Sequence, residues 1–210
     1  SGGFACGHSS VAVSITATFC AGFPLANLSA PNPNRESQMV GEALVDYALR
    51  LFEKGLIPIP LVRNSKHVAF RAMGFSPYHA VTGQKRLKDM AYQSLAFHLA
   101  LEPPSEAEIT EWFSAHDGNI GIVGGYRGLV SLDFDGVSGF ERWSRYCPEV
   151  AMKTPVEKTP NGYHAYIRTE TPVLSSSLYF KTRKTGHVKG LGGYIACSPS
   201  IVSSGPSYGW

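Results

Sequence analysis

An apolar run closes on two carboxylates at Gly128-Leu129-Val130-Ser131-Leu132-Asp133-Phe134-Asp135-Gly136. Side chains of a strand alternate between faces, so Asp133 and Asp135, two apart, leave the same side of the pleat. Like charges that close resist joint ionisation unless a cation or a basic partner neutralises them. A hard divalent ion such as Mg²⁺ takes one or two carboxylates and completes its shell with water and substrate phosphates. The pair is therefore half of a metal site. The plain alternative is a strand that ends in a turn, for which Asp and the following Gly136 are equally suited.

Three further stretches carry residues that can meet phosphate. Residues 181–189, Lys-Thr-Arg-Lys-Thr-Gly-His-Val-Lys, hold four basic groups and no acid. They read as a phosphate-contacting edge or as a solvated edge strand protected by its charge. A turn at Pro160-Asn161-Gly162 joins Glu157-Lys-Thr to Tyr163-His-Ala-Tyr-Ile-Arg168, a strand-turn-strand pattern. There His164, Tyr166 and Arg168 share one face, and Tyr163, Ala165 and Ile167 the other. The aliphatic pair is expected inside and His164 along a cleft; the alternative is a hydrogen-bonded structural histidine. Lys66 follows a turn-like Arg63-Asn64-Ser65, where an ordinary surface lysine is the default.

Elements must position these groups. With 210 residues and 43% hydrophobic content, the chain can build one sizeable core, and a net charge of +3 is too mild to demand a polyanion. Spacing over Gln38–Lys54 (Val40, Leu44, Tyr47, Ala48, Leu51, Phe52) predicts an amphipathic helix stopped by Gly55. Leu56-Ile-Pro-Ile-Pro-Leu-Val reads as an extended segment that its prolines keep out of a central ladder position. A helix is expected over Lys88–Leu101, with Met90, Leu95 and Leu99 inside, closed by Pro103-Pro104. Ser105 and Glu108 form a capping-box pattern ahead of Ile109, Trp112 and Phe113. Asn119–Gly125 reads as a small strand in a hairpin with the Asp133 strand. Ser138 is expected to cap a helix carrying Phe140, Trp143 and Tyr146 that ends near Pro148.

Residues 1–39 differ in character and read as a leader or poorly ordered extension, leaving 40–210 as the working domain. Their apolar run, Val11 to Leu25, is too short and interrupted for a membrane span. A secretory reading of residues 11–30 lacks a basic segment in front of it. Cys6, Cys20, Cys147 and Cys197 show no metal spacing or disulfide framework, and reduced thiols point to a cytoplasmic protein.

In order, Pro58 to Leu61 then Lys66, Trp112-Phe113, Asn119-Ile-Gly-Ile, Gly128 to Asp135, Lys158-Thr-Pro-Asn-Gly-Tyr-His-Ala-Tyr166, Val188-Lys-Gly-Leu-Gly-Gly-Tyr194, Ser198-Pro-Ser200 and Tyr208-x-Trp210 make a recognisable series. It resembles the bifunctional DNA primase/polymerase (Prim-Pol) domain of the archaeo-eukaryotic primase superfamily, from about Val40 to the last residue. The resemblance implies an α+β fold: a mixed or mainly antiparallel sheet flanked by helices, one half related to the RNA-recognition-motif fold. It implies template-directed nucleotidyl transfer, as DNA primase, DNA polymerase or both, in replication of a phage, plasmid or other mobile element.

By that resemblance Asp133 and Asp135 match the acidic pair that holds catalytic Mg²⁺ or Mn²⁺. His164 matches a histidine on the incoming triphosphate, and Lys189 and Lys66 match basic positions near it. Arg168 would join them on phosphate. His187 stands where the family usually has a third acid, and imidazole suits Mn²⁺ better than Mg²⁺; Glu157 or Glu170 is the alternative source of that charge. DNA template and primer, nucleoside triphosphates and a helicase domain or subunit are the implied partners, in what would be the N-terminal part of a longer protein. A catalytically weakened nucleic-acid or nucleotide-binding module and a metal-dependent phosphoesterase or nuclease remain the alternatives.

Overall fold

Tyr47, Ala48 and Leu51 recur at one helical face, and all three are fully buried, so α1 (Ser37–Glu53) forms as a packing helix. The computed structural model describes residues 37–74, 85–202 and 205–210. The leader expected over 1–39 lies outside them except for its last three residues, which open α1, and so do Cys6 and Cys20. The side chains of Val40 and Met90 are likewise outside the described part.

After α1 come β1 (Ile57–Leu61), α2 (Lys85–Leu101), α3 (Glu106–Ser114), β2 (Asn119–Val123) and β3 (Leu129–Asp135). Then follow α4 (Val137–Tyr146), α5 (Pro148–Lys153), β4 (Val156–Thr159), β5 (Gly162–Arg168), β6 (Ser176–Phe180), β7 (Arg183–Lys189) and β8 (Tyr194–Cys197). The described strands form two antiparallel sheets, one ordered β1-β2-β8 and the other β4-β5-β3-β7-β6, with helices on their flanks. The α+β expectation is met. The proline strand β1 is an edge, as Pro58 and Pro60 require. No described helix is long and apolar enough to cross a membrane.

The predicted hairpin of β2 with β3 does not form. Gly124 to Gly128 turns the chain out of one sheet and into the other, with Gly125 and Gly128 at positive φ and Gly124 packed where any Cβ would strike the Gly190 carbonyl. β2 pairs instead with β8, and β3 is the central strand of the larger sheet. One other boundary shifts: Gly136, not Ser138, precedes α4. The helix ends at Tyr146, close to Pro148 as expected, and Pro148 opens α5 at its first turn, where a missing N–H costs nothing.

Both faces of the larger sheet are packed, contrary to the single inward face expected of β5. Val130, Leu132 and Phe134 of β3 with Ala165 and Ile167 of β5 make a small core under Phe140 and Trp143 of α4. On the opposite face Leu129 and Tyr166 join the main core, built from α1, α3 and the smaller sheet. Each fully buried Leu or Ile there contributes about 1.5–3 kcal/mol. The chain end is tied in as well, since the Trp210 indole donates to the Tyr47 hydroxyl at 3.1 Å.

Candidate active site

Along its second face β3 runs from core to solvent. Leu129 and Ser131 are buried, the Asp133 side chain is 19% exposed, and Asp135 is open to water. The two carboxylates therefore stand where the main core ends and a cleft begins. Directly across from Asp133 lie His164 on β5 and His187 on β7, so three titratable groups share one row of the sheet.

The two histidines do opposite things. His164 is only 1% exposed, with Nε2 3.3 Å from Asp133 Oδ1 and Nδ1 3.1 Å from Glu157 Oε2. Both ring nitrogens meet carboxylates, so both donate and the ring is an imidazolium. Burial works against that charge, but the bonds and charges of Asp133 and Glu157 outweigh it and raise the His164 pKa. Burial also works against ionised Asp133, yet His164, Lys66 and Lys189 together hold its pKa below the ordinary carboxylate value. His187 goes the other way: burial, then Lys189 and Lys184, lower its pKa against the pull of Asp133 and Asp135. Its Nε2 accepts from the Lys184 ammonium at 2.8 Å, which fits a neutral ring.

A cavity of about 560 Å³ opens beside this row. Asp133, Asp135, His187 and Lys189 form one wall, and Lys66, with α2 and the glycine-rich turn before β8, forms the other. A neighbouring cavity of about 600 Å³ shares Gln93, Ser175 and Gly192 with it but is lined by Phe97, Leu101 and Leu174 and by neither carboxylate. The site thus brings together five of the residues singled out from the sequence.

His164 is not among the lining residues and sits behind Asp133. Arg168 is placed elsewhere. It lies four residues along β5 from His164, about 13 Å at strand rise. Its guanidinium donates to the carbonyls of Arg127, Lys54 and Gly55, which tie the end of α1 to the β2–β3 connection. Glu157 is placed behind the row rather than at a metal. It is fully buried and accepts from His164, the Tyr166 hydroxyl and the Ser198 N–H. The alternation of β4 places Glu157 opposite His164; nothing in the sequence marked it as the histidine's partner.

The donor set suits a hard cation. Asp133 meets His164 through Oδ1 and is partly exposed, and Asp135 is exposed; both line the cleft. Among the described residues no group of three or more His, Cys, Asp or Glu side chains is arranged to hold an ion alone. The remaining ligands would come from water and phosphate oxygens, as Mg²⁺ prefers. His187 Nε2 can join only if Lys184 releases it.

Residues 48–210 match the family described as bifunctional DNA primase/polymerase, N-terminal (Prim-Pol). The chain belongs to the Prim-Pol family. No curated protein matches it. As a Prim-Pol domain it is a DNA primase/polymerase of the nucleotidyltransferase kind, and binding of DNA and nucleotides follows from that class.

Proposed function

We propose that this Prim-Pol domain extends a primer on a DNA template from nucleoside triphosphates, with chemistry at Asp133 and Asp135. The carrying observation is the meeting of two carboxylates and two lysines, Lys66 and Lys189, around one cavity. A divalent cation on the carboxylate pair would neutralise phosphate charge and activate the attacking 3′-hydroxyl. Lys66 and Lys189, from opposite walls, draw the triphosphate in and offset its charge. His164 acts through Asp133: its Nε2, 3.3 Å from Asp133 Oδ1, holds that carboxylate from behind at the wall of the cleft.

If Lys184 gives up His187 Nε2 when the cation binds, a neutral nitrogen joins that pair, and Mn²⁺ then supports the reaction better than Mg²⁺. The basic 181–189 segment meets template or substrate phosphates. Replication of a phage, plasmid or other mobile element is the setting that the family resemblance implies. A helicase domain or subunit has no support in the geometry.

Primer extension with Mg²⁺ or Mn²⁺ tests the reading. Wild type should lengthen the primer in a template-dependent way, more with Mn²⁺, and Asp133→Ala with Asp135→Ala should abolish the product. Equal product from both proteins eliminates these carboxylates. Shortened DNA without nucleotide use indicates a nuclease, and DNA binding with no synthesis indicates a binding module.

A further inference from the structure

Past His187 the cleft face of the larger sheet continues to the outer end of the β6–β7 hairpin, where the basic segment also carries an aromatic ring, Tyr179, that the reading above leaves unused. Tyr179 pairs there with Lys184, and residues directly opposite one another share a face. The Lys184 ammonium reaches His187 Nε2, which identifies that face as the one carrying Asp133. A register shift between Leu178 and Tyr179 re-aims this end of the hairpin.

Tyr179 is 58% exposed, a large ring left in water on a sheet face. The next residue, Phe180, turns to the other side, where the Tyr146 ring at 5.0 Å and the Arg142 guanidinium at 5.5 Å pin the hairpin to α4. Tyr179 is therefore presented on a backed support. Around it Lys181, Arg183 and Lys184 are exposed, and residues 171–210 contain no Asp or Glu.

We propose that the tip of the β6–β7 hairpin is a platform for single-stranded DNA, with a base stacked on Tyr179 and phosphates on Lys181 and Lys184. An exposed ring interleaved with cations suits a single strand, whose bases offer open faces; a duplex would satisfy the charges and leave the ring unused. Continuity with the Asp133 row makes the bound strand the template or primer entering the cleft. The assignment rests on the polymerase reading for that last step only.

Fluorescence anisotropy with a labelled oligodeoxythymidine, without metal or nucleotide, tests it. Tyr179→Ala should bind roughly fivefold or more weakly, while Tyr179→Phe, which keeps the stacking face, stays within about twofold of wild type. Lys181 has φ 54°, so Lys181→Asn preserves the turn. That change should flatten the slope of log affinity against log salt by about 0.7. Equal binding by Tyr179→Ala and wild type, preference for blunt duplex, or no binding at all would overturn the platform. Primer extension is read separately, so failure here is distinct from failure of the catalytic reading.

Discussion

Glu157 accepts three hydrogen bonds in a place without solvent: from His164 at 3.1 Å, from the Tyr166 hydroxyl at 2.7 Å and from the Ser198 N–H. Removing a buried carboxylate with charged and polar partners strands them all, which costs about 3–5 kcal/mol. Glu157→Ala should lose that much in urea denaturation, and Glu157→Gln less; an unchanged midpoint for Glu157→Ala would refute the network. The same row predicts a pH dependence with a definite sign. His164 binds its proton more tightly folded than unfolded, so its contribution is complete below its ordinary value of 6.5 and is lost as pH rises through the folded pKa. His187, with a lowered pKa, acts only below 6.5, where its contribution fades as pH falls. The metal-free melting temperature should decline above pH 6.5 in wild type and lose that decline in His164→Asn. Parallel curves for the two proteins would show that His164 is not held as an imidazolium.

β7 lies close enough to β3 that Gly186 has no room for a side chain, since a Cβ there would strike the Asp133 carbonyl. Gly186→Ala must push β7 away along the row that joins His187 to Asp133. A cost of about 1–3 kcal/mol is expected, with a fall in extension rate beyond what lost stability explains. Ser105→Ala is the matched control. It removes the cap of α3, costs about 1 kcal/mol, and should leave the rate untouched. Equal rates for both variants would show that strand spacing does not set the site. Elements of this kind were legible where the signal is local: the α1 and α3 faces, the capping box and the Pro-Asn-Gly hairpin of β4 with β5. The partner of β2 was not, because β8 lies more than seventy residues further on and nearby glycines imitate a hairpin. The Asp133 and Asp135 pair could be read from alternation alone. The burial of His164, the use of Glu157 and the tie made by Arg168 depend on which sheet covers which, and no short-range pattern carries that.

At the scale of the whole molecule the cleft has two walls of separate origin. Asp133, Asp135 and Lys189 come from the five-stranded sheet, while Lys66 follows β1 at the edge of the three-stranded one. A triphosphate with its cation would bridge both walls and bind the folded state alone. Ligand at a hundredfold excess over its dissociation constant adds about 2.7 kcal/mol. For a domain of this size each kcal/mol moves the melting temperature by about 2–4 °C, so a shift of about 5–10 °C is expected with Mn²⁺ and nucleoside triphosphate. Lys66 is exposed, so Lys66→Ala should melt within about 0.5 kcal/mol of wild type without ligand. With ligand it should show a distinctly smaller shift, because one wall has lost its cation. Differential scanning fluorimetry of both proteins, with and without Mn²⁺ and triphosphate, reads the difference directly. Identical shifts would confine the triphosphate to the five-stranded sheet, and a wild type that gains nothing would remove the nucleotide from this cleft.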